Sequence, residues 1–392
     1  MRESVRNDER NQPADPDGQP ADAEDAVARL VRQLDFIRAE LRAEYLLPHT
    51  KPWIIGFSGG KDSTLVLQLV LEMLLRLPPS ERKRPIHVLS NDTLVESPVV
   101  QAFVNRTLER VRDAMEGLRL PVTVVVTHPD PDHTFWVNLL GRGYPAPSRG
   151  FRWCTDRMKI QPTSRYIRTQ VSEAGEVILL LGVRRAESAN RANTMARYDN
   201  GERLNDHNDL KGCKVFRPIV EMSTDDVWLA LMQSRPPWGG SHRELVTLYR
   251  NAQGGECPFV VDADDAPSCG SSSARFGCWT CTVVDKDKSL QAFVDAGFEH
   301  LEPLVEFRNR IKDLSRQPEY RMMERRNGAP GLGPFTVEAR RMLFDELRAV
   351  EAAVELPLLS EAEARRIQEI WADDAVRGAL RRANRLLEIF EE

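Results

Sequence analysis

What the chain lacks narrows its class first. No stretch of its 392 residues approaches the roughly 20 consecutive apolar residues of a membrane span. The first residues, MRESVRNDERNQPADPDGQPADAED, carry no apolar run of the kind a secretion signal needs. The expected location is the cytoplasm, with no membrane contact. There is no excess of positive charge: the formal net charge is −5, so contact with nucleic acid must use a local basic patch. There is no internal repeat, no Walker A loop and no paired CxxC…CxxC zinc ribbon. Cysteine is scarce, with six in all and none after Cys281, and without a secretion signal these are expected to be thiols rather than disulfides.

Residues 1–24 are polar and rich in Pro, Asp and Ala, too poor in apolar side chains to offset the cost of ordering, and are expected to be a disordered tail. From residue 25 the pattern is that of a folded domain. Apolar residues at helical spacing over 25–47 predict an amphipathic helix. Strands are predicted at 53–57, 86–90, 122–127 and 177–183, with helices at 62–77 and 99–116 between them. This rhythm predicts an α/β fold, a doubly wound and mainly parallel sheet, over residues 25–225. Residues 128–161, full of Pro, Gly and aromatics, read as a long functional loop. Residues 226–392 read as a mainly helical region interrupted by a cysteine-rich segment at 257–281. Ser223 with Asp226, and Ser360 with Glu363, are capping signatures for two of its helices.

Ser58-Gly59-Gly60-Lys61-Asp62-Ser63 falls at the first strand-to-helix turn. Two glycines let backbone wrap an anion, the helix N-terminus offers amides and partial positive charge, and Lys61 and the two serines add a cation and donors. Asp92, at the end of the second strand with Glu96 nearby, is positioned to hold a ribose, an amine or Mg²⁺ through ATP, or to cap the next helix. Arg184 and Arg185, at the end of the fourth strand, are candidate anion ligands. Residues 141–168 hold six arginines and one lysine against the single acid Asp156, with aromatics among them. Cations around Cys154 would lower its pKa and make it a nucleophile or persulfide carrier. Cys257, Cys269, Cys278 and Cys281 are spaced C-x11-C-x8-C-x2-C, a set of four thiolates for zinc or an iron–sulfur cluster; the long unequal spacing leans toward [4Fe–4S]. Cys213 is left over and reads as structural. Arginines 308, 310, 316, 321, 325 and 326 are nearly balanced by acids and read as a solvated helix face.

SGGKDS resembles the PP-loop of ATP pyrophosphatases, which cleave ATP between its α and β phosphates and pass AMP to an oxygen. With PWIIGFSGGKDST, LSNDTLVESPVV, TFWVNLLGRGYPAPSRGFRWCTDRMKIQP, LLLGVRRAES and SCGSSSARFGCWTCTVVDKDKS, the chain resembles the DndC family from about Leu46 to about Arg310. These are sulfurtransferases of bacterial DNA phosphorothioation, related to phosphoadenosine phosphosulfate reductases. The resemblance implies ATP with Mg²⁺ on residues 58–63, catalysis involving Lys61, Asp62 and Cys154, and a [4Fe–4S] cluster on the four clustered cysteines. It further implies DNA as substrate, a cysteine desulfurase as sulfur donor, and other Dnd-type subunits as partners. Three other readings share features. A sulfonucleotide reductase would need a C-terminal catalytic cysteine, which the chain lacks. A tRNA thiolation enzyme shares loop and cluster. A non-enzymatic DNA-binding scaffold with an iron–sulfur site would release no pyrophosphate.

Overall fold

The computed structural model describes residues 19–187, 201–252 and 276–391. The tail assigned to residues 1–24 lies mostly outside them; within them, helix α1 (Gln19–Tyr45) begins at Gln19. Its residues Leu30, Leu34, Ile37 and Leu41 recur every three or four positions and are all buried, which is the stripe that seats a helix on a core.

Six strands form one sheet in the order β3–β2–β1–β4–β6–β5. They are β1 (Trp53–Gly56), β2 (Ile86–Asn91), β3 (Val122–Thr127), β4 (Val177–Leu180), β5 (Leu204–Asp206) and β6 (Cys213–Phe216). All neighbours pair in parallel except β5 with β6, which is antiparallel. The doubly wound, mainly parallel sheet expected from the sequence is therefore present. Helices α2 (Lys61–Arg76) and α3 (Pro98–Gly117) cross between β1, β2 and β3, and α4 (Gln161–Ala174) leads into β4. Side chains alternate across the sheet with the two-residue period of a strand. Trp53, Ile55, Ile86 and Val88 join the core built with α1, α2 and α3, whereas Ile54, Leu89 and Leu179 face Ile167 of α4. Cys213 lies buried on β6, and burial pushes its thiol up to about 12, in keeping with a structural role.

Helix α5 (Thr224–Gln233) opens with the predicted capping box: the Asp226 amide donates to Ser223 Oγ at 3.0 Å and the Ser223 amide to Asp226 Oδ2 at 3.2 Å. Residue 225, where the sequence places the domain boundary, is the second residue of this helix. Val227, Trp228 and Leu231 of α5, with Leu245, Leu248 and Tyr249 of α6 (Arg243–Ala252), pack into the same core as α2.

The seam between α6 and α2 carries a buried polar chain. His242 Nε2 lies 2.5 Å from Gln68 Oε1, and the Gln68 amide donates to Ser234 Oγ at 2.6 Å and Glu72 Oε1 at 2.8 Å. Burial pushes the His242 imidazole down to about 4. Because the unfolded chain takes up that proton at higher pH, the folded state keeps its full stability above the ordinary histidine pKa and loses it as pH falls toward 4. The loss expected over that window is about 3 kcal/mol. It is read as a falling difference in urea midpoint between the parent and His242→Gln, which has no such group to titrate.

The remaining helices are α7 (Lys288–Asp295), α8 (Glu302–Leu314), α9 (Val337–Val354) and α10 (Glu361–Glu391). Ser360 and Glu363 cap α10 as expected, the Ser360 amide donating to Glu363 Oε2 at 3.0 Å. The segment 128–161 is not the open loop expected from its Pro and Gly content. It contains helical turns at Pro131–His133, Val137–Gly141, Trp153–Thr155 and Asp156–Ile160, the last running straight into α4. Phe135, Trp136, Leu139, Leu140 and Trp153 are buried with Leu304, Phe307, Leu343 and Ile367, forming a second core between this segment and the C-terminal helices. Among the described residues no helix is long and apolar enough to cross a membrane.

Candidate functional site

In a sheet of this order the connections leave β1 in opposite directions, toward β2 on one side and β4 on the other. The crevice outside the carboxyl ends of β1 and β4 is where such sheets bind ligands. Ser58–Ser63 occupies it. Gly59 has φ of +75°, and a Cβ there would lie 2.4 Å from Val104 Cγ2, so both backbone and space demand glycine. Gly182, just past β4, approaches the first turn of α2 so closely that a Cβ would meet the Asp62 carbonyl at 2.7 Å and the Ser63 nitrogen at 2.8 Å.

The loop is preformed. The Ser58 amide donates to Ser63 Oγ at 3.2 Å, Ser63 Oγ donates to the Gly60 carbonyl at 3.0 Å, and Thr64 Oγ1 reaches the same carbonyl at 2.9 Å. Gly60 caps α2 with no side chain, which leaves the first amides of the helix to other acceptors. One acceptor is Tyr249: its hydroxyl accepts from the Lys61 amide at 3.2 Å, and its ring lies 5.7 Å from Lys61 Nζ. Nothing in the sequence links Tyr249 to this turn, 188 residues away.

Lys61 Nζ donates to Asp62 Oδ2 at 3.0 Å, and Asp62 Oδ1 accepts from Arg184 Nε at 2.6 Å. Arg184 is 1% exposed and also donates to the Met222 carbonyl and Thr224 Oγ1. The structure thus makes Arg184 a brace that fixes Asp62, where the sequence suggested an open anion ligand. Arg185 Nε donates to Glu221 Oε1 at 2.6 Å. Asp92 does not cap the next helix. Its Oδ1 accepts from the Leu94 amide at 2.8 Å, holding Leu94 at φ of +65°, and its Oδ2 lies 3.8 Å from His128 Nε2.

The thiols gather at the same sheet edge. Beyond β2, residues 93–97 meet the CxxC turn: Glu96 bridges to Cys278, the Trp279 amide donates to the Val95 carbonyl at 3.0 Å, and Cys278 Sγ lies 3.3 Å from Thr93 Oγ1 and 3.6 Å from Glu96 Oε1. Lys159 reaches Glu96 at 3.4 Å. Cys154, on the helical turn ahead of Lys159, is close enough to Cys281 and Cys278 for their charges to interact. Burial and then Cys281 push the Cys154 thiol up, against the smaller opposing effects of Thr155 and Lys159. Burial thus opposes the thiolate that the flanking cations would favour at Cys154, and desolvation outweighs the neighbouring lysine. Burial likewise pushes Cys278 up to about 12, while Cys278 and Glu96 hold Lys159 above its usual range.

Cys257 and Cys269 lie outside the described residues. Among the described residues no three His, Cys, Asp or Glu side chains are placed to hold a metal ion. What is present is a pair of soft donors on one turn, with the Cys281 amide donating to the Cys278 carbonyl at 3.0 Å. That donor chemistry suits a thiophilic metal or cluster rather than Mg²⁺.

A model of the phosphoadenosine phosphosulfate reductase domain matches residues 52–284, which span the sheet, the glycine turn and the CxxC turn. The chain belongs to that family. An uncharacterised protein of Methanocaldococcus jannaschii is 27% identical over 188 residues, 48% of this chain and 33% of that protein, so the aligned part spans about a third of that curated relative. Among solved structures, the phosphoadenylyl-sulfate reductase from Candida auris, in a phosphate complex, is similar at 12% identity and a TM-score of 0.33. That match covers 51% of this chain and 84% of the other. The U34-tRNA thiolase NcsA from Methanococcus maripaludis, with its [4Fe–4S] cluster, is similar at 14% identity and a TM-score of 0.35, covering 81% and 88%. In this member of the reductase-domain family, the glycine turn and the thiols share one edge of one sheet.

Proposed function

We propose that the chain is an ATP pyrophosphatase and sulfurtransferase that replaces a non-bridging oxygen of a DNA backbone phosphate by sulfur. The observation that carries this reading is the shared edge: the preformed glycine turn at the β1/β4 crevice, with the CxxC turn seated on residues 93–97 just beyond β2. In this reading the β and γ phosphates of ATP lie on residues 58–63, with Lys61 leaving Asp62 to meet them. Asp62 stays fixed by Arg184, so the first turn of α2 keeps its shape when the lysine moves. Asp92 faces the same edge and would take the sugar, or Mg²⁺ held through ATP. Mg²⁺ supplies charge neutralisation of the phosphates.

A phosphate oxygen of the DNA attacks the α phosphorus, the bond to pyrophosphate breaks, and the adenylated oxygen becomes a leaving group. The terminal sulfur of a persulfide charged by a cysteine desulfurase partner then attacks the DNA phosphorus as AMP departs. A second thiol cleaves the S–S bond, leaving sulfur on phosphorus and a disulfide that an external thiol reductant returns to thiols. Cys278 and Cys281, with Cys257 and Cys269, would hold an iron–sulfur cluster; zinc is the alternative for the same donors. Such a cluster supplies a site for handling sulfur.

Incubation with α- and γ-labelled ATP, DNA and a sulfide source tests the reading. AMP, pyrophosphate and nuclease-resistant sulfur in the DNA are expected. ADP with orthophosphate would overturn it. Sulfite released from an adenylyl sulfate would assign the chain to the reductases instead.

A further inference from the structure

Four arginines on one face of the second core form no ion pair among the described residues, although Arg149 and Arg316 share the field of Asp285. Arg149 lies within the tight turn Ser148–Phe151, whose ends bridge to each other, and Arg152 follows it; Arg316 follows α8, and Arg325 is on the arm 321–335. All four are exposed, and among the described residues none forms an ion pair. Their neighbours behave differently. On α8, Arg308 is buried on backbone carbonyls, Arg310 pairs with Glu346 at 3.5 Å, and Lys312 pairs with Asp285 at 2.9 Å. Asp285 feels Lys312, Arg316 and Arg149 together, so these cations surround one acid.

The four are parts of one surface. Arg325 and Arg326 are on an arm closed by bridges at Arg321–Phe335 and Glu324–Pro330. The guanidinium of Arg326 lies over the Tyr144 ring at 4.4 Å, and that of Arg157 lies over it at 4.8 Å. Tyr144 meets Phe151 at 6.2 Å between ring centroids. Phe151, 46% exposed, forms one wall of a cleft of about 260 Å³ whose other wall carries Lys312 and Arg316. Thr282 forms part of its lining, donates to the Pro147 carbonyl at 2.6 Å, and directly follows Cys281. A group seated in the cleft is thus one residue from the thiol turn.

We propose that a DNA strand docks on this face, with a backbone phosphate in the cleft between Phe151 and Arg316, a base against Phe151, and the flanking strand along Arg325 and Arg326. Unpaired guanidinia in a chain of net charge −5, beside an exposed aromatic ring, are the combination that tracks a phosphodiester backbone and stacks its bases. The choice of DNA rests on the function proposed above; the surface itself rests on the geometry. The arginines read from sequence as a solvated helix face are thus divided: Arg308 and Arg321 are buried, Arg310 is paired, and Arg316, Arg325 and Arg326 belong to the docking face.

The test is fluorescence anisotropy of a labelled DNA oligonucleotide with the full chain, repeated over a salt series. The pair Arg149→Glu and Arg316→Glu is expected to weaken binding about tenfold or more, and to flatten the slope of log affinity against log salt by about 1 to 2. Phe151→Ala is expected to weaken binding at least about fivefold and leave that slope unchanged. Arg112→Glu, on α3, is expected to leave binding unchanged, and every variant should keep a thermal midpoint within a few degrees of the parent, which checks their folding. Binding by the double variant within twofold of the parent overturns the proposal, as does tighter binding of RNA of the same sequence. Failure of the two readings looks different. Pyrophosphate release with DNA binding indifferent to these residues removes the surface alone; charge-dependent DNA binding with ADP as product removes the proposed chemistry alone.

Discussion

Replacing Lys61 by alanine is expected to lower conversion of ATP to AMP and pyrophosphate by about 10²- to 10³-fold, the usual effect of removing one preorganised charge from a site where charge develops. The lysine is poised rather than free. Its side chain is 14% exposed, and its ammonium is hydrogen-bonded to Asp62 and held over Tyr249. The Asp62 carboxylate does not depend on it, because Arg184 donates to the other oxygen at 2.6 Å. The first turn of α2 should therefore survive, since the helix is anchored by Leu65, Val66, Leu69, Val70 and Leu74, all within the core. A thermal midpoint within a few degrees of the parent, with pyrophosphate release nearly abolished, separates loss of chemistry from loss of fold. Full turnover in the alanine variant would remove the glycine turn from the mechanism. Asp62→Asn provides the complementary measurement: it leaves both Lys61 and the buried Arg184 without a charge partner, so here stability is expected to fall along with activity.

The parallel sheet and its glycine turn were legible because their signals are local. WIIGFSGGKDST sets an apolar run against two glycines and a helix start, and the turn's physical demands, a positive φ at Gly59 and a bare cap at Gly60, act within those residues. Partners brought in by tertiary packing left no such mark. Tyr249 reaches the Lys61 amide from α6, Glu96 and Thr93 reach Cys278 across 182 and 185 positions, and no spacing rule connects them. Arg184 was visible as a cation at a strand end, but its neighbours Met222 and Thr224, which bury it, come from the start of α5. The segment 128–161 misled for a different reason. Its prolines and glycines suggest loop, whereas its aromatics at 135, 136 and 153 serve a second core whose other half lies beyond residue 278. Cys154 shows the same limit in electrostatics: the flanking cations can be read from the sequence, but the desolvation that outweighs them cannot.

Replacing Arg308 by methionine is expected to destabilise the fold by about 3–5 kcal/mol, since the carbonyls of three residues lose a buried donor, each at about 1–3 kcal/mol and not fully additive. From sequence this arginine looked like one of several solvated cations on a helix. In the structure it has 0% exposure, and its guanidinium closes the turn that follows the cysteine pair. Nε and one terminal nitrogen donate to the Cys281 carbonyl at 2.9 and 2.7 Å. The same terminal nitrogen also donates to the Val284 carbonyl, and the other reaches the Asp285 carbonyl at 2.8 Å. Methionine fills comparable space but donates nothing, so carbonyls already withdrawn from water would lose their partners. Lysine at this position carries the charge without the planar fork, and one ammonium cannot serve carbonyls from three residues at once, so Arg308→Lys should fall between parent and methionine. The measurement is a pair of readouts. A thermal melt reports the cost to the fold. The rate at which Cys281 is alkylated reports the turn itself, and it should rise in both variants, because the contacts that fix the Cys281 carbonyl are the ones removed. A methionine variant with the parent's melting temperature and unchanged alkylation would show that the turn is held by the packing of Trp279 and Phe307 instead.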